Sequence, residues 1–126
     1  MYKKLLAGFA LLALLTTLLA ACSIHEASGP GGPSVHMGNA DFKTNTITIS
    51  KGQSLSLIDD VAVPHTIKNG AWKNSKPDET KENGAPSYDQ NFNGNDSATL
   101  GPFTTAGTFH YYCTIHPGMN LTVTVQ

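Results

Sequence analysis

The sequence has 126 residues, of which 40% are hydrophobic, and its formal net charge at pH 7 is −1. It contains no arginine, and its 8 lysines face 9 acidic residues, so the basic surface of a nucleic-acid-binding protein is excluded. The hydrophobic residues are unevenly distributed: 14 of the 17 residues in segment 5–21 are apolar, against 34 of the 105 from Cys22 to Gln126. About 105 residues form one domain with a modest core, which excludes a multidomain enzyme.

Residues 1–21 have the layout of a secretory signal peptide. Lys3 and Lys4 provide a positive start, and the apolar stretch that follows ends on small residues. The end of this stretch, Leu-Ala-Ala-Cys22, resembles a bacterial lipobox, in which the cysteine thiol receives a diacylglyceryl group and cleavage frees its amine. We predict a lipoprotein signal peptide over 1–21, lipidation at Cys22 and an extracytoplasmic domain anchored to a bacterial membrane. An ordinary signal peptide or an uncleaved anchor is the alternative.

A segment rich in glycine and proline follows the predicted lipidation site. It includes Gly-Pro-Gly-Gly-Pro at 29–33, and we predict that 22–34 is a flexible tether without a core of its own. Two histidines flank this run, His25 and His36, and they could bind metal loosely. Histidines in such a setting are more often simply solvated.

From residue 35 onward the pattern indicates strands. Segments 46–49 and 54–57 alternate polar and apolar residues, and the turn signal at 51–53 between them predicts a β-hairpin. Segment 68–97 is mostly polar and predicts a long loop with one edge strand near 88–92. Later strand candidates are 98–103, 107–113 and 121–125.

The composition of the part that follows the signal peptide supports the same fold class. It contains 23 β-branched residues against 4 leucines, which favours strands over helices. Many short strands separated by turns about every ten residues predict an all-β domain, built as a β-sandwich or a small barrel.

The last long strand candidate separates two faces. Side chains alternate along a strand, so Phe109, Tyr111 and Cys113 share one face, which we expect to point into the core. His110 lies on the other face and is predicted to be a surface histidine. If Cys22 carries lipid, Cys113 has no disulfide partner, and an unpaired cysteine in an exported domain needs another role.

The segment that begins at Cys113 brings together three metal-binding side chains. Cys113, His116 and Met119 supply a thiol, an imidazole and a thioether at a spacing of three residues. These soft and intermediate donors suit copper better than magnesium, calcium or manganese. A blue copper site has one thiolate, two imidazoles and a weak axial methionine, so a second histidine must come from elsewhere. His65, at the end of a probable strand, is the candidate.

The sequence resembles the plastocyanin/amicyanin group of cupredoxins over residues 35–126. The motifs that carry the resemblance are Val63-Pro64-His65-Thr66-Ile67, Gly101-Pro102-Phe103, Gly107-Thr108-Phe109 and Tyr112-Cys113-x-x-His116-x-x-Met119. The resemblance implies a cupredoxin-type Greek-key β-sandwich of about eight strands, with one copper ion, Cu(I) or Cu(II), in a type 1 site at one end. It also implies single-electron transfer rather than catalysis, so no enzyme activity is expected.

The resemblance also implies roles for individual residues. His65 is the upstream ligand, Cys113 the thiolate, His116 the second imidazole and Met119 the axial ligand. His116 lies with Pro117 and Gly118 on an apolar face where a redox partner, such as a cytochrome, docks. We expect the protein to act as a monomer.

Three positions depart from the family pattern. Thr66 follows the upstream histidine where the family often has asparagine, and we expect a Thr66–Thr114 contact to replace its hydrogen bond to the ligand loop. Leu121 stands where the family has glycine. The lysines and acids of segment 73–82 cancel, so an acidic docking patch of the plastocyanin type is not expected.

Other readings of the same residues are weaker. A structural zinc site requires four strong ligands, and methionine is a poor one. A catalytic Cys113–His116 pair lacks a convincing orienting Asp or Asn and an oxyanion site. The alternative that remains is a copper-binding metallochaperone or storage module of the same fold, because the ligands alone do not distinguish delivery of electrons from delivery of ions.

Overall fold

The computed structural model describes residues 31–126. The predicted signal peptide, the predicted lipidation site at Cys22, His25 and the predicted tether as far as residue 30 lie outside the described residues. No helix long and apolar enough to cross a membrane occurs within 31–126. The described chain forms ten strands: β1 Ser34–Met37, β2 Thr46–Ile49, β3 Leu55–Asp59, β4 His65–Asn69, β5 Ala71–Lys73, β6 Lys76–Asp78, β7 Asp89–Phe92, β8 Ser97–Leu100, β9 Gly107–Cys113 and β10 Asn120–Val125.

The strands form two main sheets and one hairpin. One sheet has the order β1-β3-β8 and the other the order β2-β10-β9-β4-β7, while β5 and β6 pair with each other. The β1/β3 and β2/β10 pairs are parallel, and the remaining pairs are antiparallel. The all-β sandwich predicted from the sequence is therefore confirmed, with ten strands where about eight were expected.

Alternating side chains of both sheets build one core. In β3 the inward positions are Leu55, Leu57 and Asp59, and in β9 Phe109, Tyr111 and Cys113 are all nearly inaccessible to solvent. The predicted inward face of β9 is thus confirmed. Tyr112, on the opposite face, is buried as well, because the half-buried indole of Trp72 packs edge-on against it at 6.0 Å.

The predicted hairpin between 46–49 and 54–57 is wrong. β2 pairs with β10, whereas β3 pairs with β1 and β8, so the connection between β2 and β3 crosses from one sheet to the other. Its turn is held from outside: the Gly52 amide donates to the Phe103 carbonyl at 2.7 Å and the Phe103 amide to the Gln53 carbonyl at 2.8 Å. The turn residues of a hairpin and those of a connection between two sheets look alike in sequence, so the turn at 51–53 did not distinguish them.

Segment 68–97 contains more structure than predicted. The expected edge strand is β7, which pairs with β4. The β5–β6 hairpin was not anticipated, because its two three-residue strands show no period-two alternation of apolar side chains. Its turn uses Asn74 and Ser75 at φ 50° and 61°, the left-handed conformation that a two-residue hairpin turn requires. The next strand, β8, ends at Leu100 and is shorter than the predicted 98–103.

Candidate metal centre

Two neighbouring strands and the loop after them bring the predicted ligands together. Cys113 is the last residue of β9 and His65 the first residue of β4, so His65 begins a strand rather than ending one. These strands are antiparallel neighbours, with Ile67 opposite Cys113, so both side chains lie at the same end of the sheet. His116 and Met119 follow on the loop that joins β9 to β10, which we call the ligand loop, residues 114–119.

Three donor atoms converge at this end of the sheet. The Cys113 Sγ lies 3.3 Å from Nδ1 of His116 and 3.7 Å from Nδ1 of His65, and the three donors all lie within 4.8 Å of one another. Nitrogen and sulfur atoms that each lie about 2.0–2.3 Å from one metal ion, at angles of about 120°, are about 3.7 Å apart. The observed separations therefore fit a single ion bound between the three side chains.

The site is enclosed. Cys113 and His65 are fully buried, Met119 is buried in the core at the end of the ligand loop, and His116 is half-buried. Burial lowers the pKa of the His65 imidazole below its usual value; nearby Asp59 opposes this shift and His116 adds to it. A lowered pKa keeps the imidazole neutral, which is the form that binds a metal ion.

Main-chain hydrogen bonds hold the ligand loop in shape. The Cys113 amide donates to the Met119 carbonyl at 3.0 Å, and the Met119 amide donates to the His116 carbonyl at 3.1 Å. Gly118 adopts φ 83°, a conformation that favours glycine, at the turn between these two ligands. The loop therefore closes on itself and fixes the spacing of His116 and Met119 relative to Cys113 at the end of β9.

Thr66 and Thr114 are in contact, but not through their side chains. The Thr114 amide donates to the Thr66 carbonyl at 2.9 Å, which ties the start of the ligand loop to β4. The Thr66 hydroxyl instead donates to Oδ1 of Asn91 on β7, also at 2.9 Å. The main chain thus links the two residues, and the Thr66 hydroxyl takes no part in this contact.

A tryptophan on β5, to which the sequence assigned no role, anchors both ends of the ligand loop. The Trp72 indole Nε1 donates to the Cys113 carbonyl at 2.8 Å. The Trp72 amide donates to Oδ1 of Asn120 at 2.7 Å, and Asn120 Nδ2 returns a bond to the Trp72 carbonyl at 3.1 Å. Cys113 and Asn120 flank the loop on either side, so β5 braces it. A lone tryptophan in a polar segment is the only sequence signal for this role.

The remaining predicted residues lie as follows. Pro117 and Gly118 are exposed beside His116, and Ile115, 50% exposed, is the large hydrophobic side chain most open to solvent among the described residues. His110 faces away from the metal centre, and its Nδ1 lies 2.6 Å from Oε1 of Glu82. His36 is exposed and paired with Asp60 at 2.8 Å. Neither histidine joins the three-donor cluster.

Comparison with known proteins agrees with this geometry. Residues 33–126 match the family model described as copper binding proteins, plastocyanin/azurin family. The chain is 30% identical over 91 residues to plastocyanin from Ulva prolifera, which covers 71% of this chain and 90% of that protein. The chain therefore belongs to the plastocyanin/azurin family of copper-binding cupredoxins.

Solved structures share the fold. Amicyanin from Paracoccus versutus matches with a TM-score of 0.58 and 19% identity, over 78% of this chain and 84% of that one. A purple cupredoxin from Nitrosopumilus maritimus matches with a TM-score of 0.57 and 21% identity, over 75% of this chain and 99% of that one. The predicted cofactor, one copper ion, is confirmed by the family and fits the His65, Cys113 and His116 donors with Met119 nearby.

Proposed function

We propose that this protein is a blue copper electron carrier, which passes single electrons between redox proteins through a mononuclear type 1 site. The observation that carries the proposal is the convergence of one buried thiol sulfur and two imidazole Nδ1 atoms within 4.8 Å. His65, Cys113 and His116 form the trigonal set, and Met119 supplies the weak axial contact that such sites have. When bound, the copper ion supplies a one-electron couple between Cu(I) and Cu(II).

The role of the protein is to hold the ligands still while the charge of the site changes. His65 and Cys113 are held by adjacent strands of one sheet, and His116 and Met119 by a loop closed by its own hydrogen bonds. Trp72 and Asn120 brace the two ends of that loop. Because few atoms can move, little rearrangement accompanies oxidation or reduction, which favours fast electron exchange.

The docking face in this proposal surrounds His116. This ligand is half-buried, whereas its neighbours Ile115 and Pro117 are exposed and apolar. A cytochrome or another redox protein seated on this face would lie close to a copper ligand, without intervening core. Three lysine–carboxylate pairs on the domain, which involve Lys43, Lys68 and Lys73, cancel part of the surface charge. Apolar contact therefore dominates docking in this account.

The cellular setting is also part of the proposal. The signal-like residues 1–21 and the lipobox-like cysteine at 22 support export and a lipid anchor on the outer side of a bacterial membrane. The domain would then receive its copper outside the cytoplasm and act there as a monomer. Electron carriage, rather than catalysis, is the activity proposed at that location.

Voltammetry combined with copper exchange tests this function. An electron carrier should show a fast, reversible one-electron wave and retain its copper for hours against a competing chelator. A metallochaperone or storage protein of the same fold should release copper readily to the chelator. Rapid copper loss without a reversible wave would contradict the carrier assignment.

A further inference from the structure

A carboxylate is buried beside the metal centre, and the ligand set does not account for it. Asp59 is the last residue of β3 and occupies an inward position in the same row as Leu55 and Leu57. It is 2% exposed. Acidic side chains are rarely buried to this extent without a charged or hydrogen-bonded partner, so this position calls for one.

The partner that the structure offers is His65. Oδ1 of Asp59 lies 3.9 Å from Nε2 of His65, and both side chains are completely inaccessible to solvent. Nε2 is the ring nitrogen that does not face the Cys113 sulfur. Asp59 belongs to the three-stranded sheet and His65 to the five-stranded one, so the carboxylate approaches the ligand from the opposite side of the sandwich.

The carboxylate of Asp59 and Nε2 of His65 can each still form a hydrogen bond. Oδ1 of Asp59 accepts the Val61 amide at 3.2 Å, but Oδ2 has no hydrogen-bond partner among the described residues, and neither does Nε2 of His65. A distance of 3.9 Å is longer than a hydrogen bond, which for nitrogen and oxygen spans about 2.7–3.2 Å. A movement of about 1 Å by the ring or the carboxylate therefore closes the gap.

Metal binding determines which nitrogen carries the proton. When Nδ1 of a neutral imidazole binds a metal, the ring proton resides on Nε2, which becomes a hydrogen-bond donor. In His65 this nitrogen lies 3.9 Å from Oδ1 of Asp59. Ligand histidines commonly donate this second N–H to a carboxylate or a carbonyl, which orients the ring and makes the ligand more basic.

We propose that Asp59 is a positioning residue of the copper site, which accepts the Nε2–H bond of His65 and lowers the reduction potential of the copper. The oxidised site carries one more positive charge than the reduced site. A buried negative charge behind a ligand therefore stabilises Cu(II) more than Cu(I), and the low local dielectric strengthens this effect. This inference rests on the proposed type 1 site and names a determinant of its potential.

The neighbouring residue Asp60 provides a matched control. It carries the same charge one position along the chain, but its side chain is 47% exposed and pairs with His36 at 2.8 Å. Solvent and salt screen a charge in that position. Asp59→Asn and Asp60→Asn therefore remove the same charge from a buried and an exposed site.

The test is the reduction potential of the two copper-loaded variants. Asp59→Asn should raise the potential and retain the visible band, with a shift in the relative affinity for Cu(I) over Cu(II) of about tenfold, equivalent to about 59 mV for a one-electron couple. Asp60→Asn should leave the potential close to that of the unmodified protein. An unchanged potential in Asp59→Asn, or equal shifts in both variants, would overturn the inference.

A structure of the unmodified copper-loaded protein provides a test that does not depend on a variant folding. In that structure we expect Nε2 of His65 to lie within hydrogen-bond distance of Asp59. The main chain of Gly38 also lies near this ring and is the competing acceptor. A bond from Nε2 to Gly38, with Asp59 no closer than now, would overturn the inference. The two possible failures can be distinguished. If the proposed function is wrong, the unmodified copper complex lacks its thiolate band, whereas failure of the Asp59 proposal alone leaves that band intact.

Discussion

At the scale of single residues, Cys113 illustrates how surroundings decide the role of a side chain. It is a free, fully buried cysteine, and a buried thiol usually acts as an inert core residue. The Nδ1 atoms of His65 and His116 lie 3.7 and 3.3 Å from its sulfur, and this setting supports the proposed role as a metal ligand instead. The residue type and spacing predicted this role, because three of the four proposed ligands lie within seven residues.

Residues that act through long-range contacts could not be predicted in the same way. Trp72, Asn120 and Asp59 reach the metal centre from β5, β10 and β3, and nothing in their local sequence indicates which main-chain or side-chain group they will meet. Asp59 did carry one signal, an acidic residue at an inward position of an alternating strand. Such a signal marks a residue as unusual without identifying its partner.

Met119 gives the first prediction at this scale. Substitution of the proposed axial thioether by an amide, Met119→Gln, should keep the intense visible band, since the thiolate is untouched. The reduction potential should fall, because a stronger axial donor stabilises Cu(II) more than Cu(I). Protein-film voltammetry measures the shift, and Met119→Leu, which keeps an apolar side chain without the sulfur, is the control. Equal potentials in Met119→Gln and the unmodified protein would show that Met119 is not the axial ligand.

At the scale of elements, the β5–β6 hairpin has a function that its polar sequence conceals. It pairs only with itself as a sheet, yet Trp72 on β5 bonds to both flanks of the ligand loop. Period-two patterning identified β9 and β10 because one face of each is buried. It did not find β5 and β6, because each has only three residues and no alternation of apolar side chains. It also could not distinguish a β2–β3 hairpin from a crossing between sheets.

Trp72→Phe tests the brace. Phenylalanine keeps an aromatic ring against Tyr112 but removes the Nε1–H bond to the Cys113 carbonyl, a loss of about 1 kcal/mol of unfolding free energy. With one end of the loop less restrained, we expect copper to pass faster to a competing chelator. Tyr112→Phe, which removes only a long bond of 3.4 Å to Glu79, is the control. Copper release at the rate of the unmodified protein would refute a bracing role for the indole.

Acid should loosen the same hairpin in a defined pH range. Hydrogen bonds from Lys73 and Thr80 lower the pKa of Asp78 to about 2, below the usual value near 3.8. The pKa of Asp78 is lower in the folded than in the unfolded protein, so its ionised carboxylate stabilises the fold. This stabilisation is present above about pH 4 and is lost as the pH falls through about 2. Trp72 is the only tryptophan, so its fluorescence in the copper-free protein reports the change.

Asp78→Asn provides the comparison for that titration. The amide cannot ionise, so the change in Trp72 emission between pH 4 and pH 2 should become smaller than in the unmodified protein. Asp60 pairs with His36 on β1, away from the hairpin. In Asp60→Asn the change in Trp72 emission between pH 4 and pH 2 should therefore equal that of the unmodified protein. An acid transition in Asp78→Asn identical to that of the unmodified protein would mean that other groups control the hairpin.

At the scale of the whole molecule, the two cysteines lie in different parts of the sequence, and we propose a different role for each. Cys113 lies in the folded domain at the metal centre, while Cys22 ends a lipobox-like sequence that precedes the domain. The uneven distribution of hydrophobic residues follows the same division between an N-terminal segment and a domain. The apolar segment 5–21 is predicted to direct export, and the more polar domain needs to fill only one core between two sheets. Composition and spacing predicted the all-β domain, which is confirmed, while export and lipidation at Cys22 stay predictions.

Cys22→Ala tests the proposed anchor. In a bacterial host that processes lipoproteins, the unmodified chain should be found in the membrane fraction, with a diacylglyceryl mass on its N-terminal peptide. Cys22→Ala should lose that modification. Cys113→Ser is a control, because it alters the other cysteine and should stay in the membrane fraction. An N-terminal peptide of the unmodified chain without a diacylglyceryl mass, together with the same fractionation for both chains, would contradict lipidation.

The visible and EPR spectra of the oxidised, copper-loaded protein, with metal analysis, test the central claim most directly. A type 1 site held by His65, Cys113, His116 and Met119 predicts one copper ion per chain and an intense band from thiolate-to-Cu(II) charge transfer. Cys113→Ser should abolish that band, because it removes the thiolate. A colourless Cu(II) complex with an ordinary tetragonal EPR spectrum would contradict the claim.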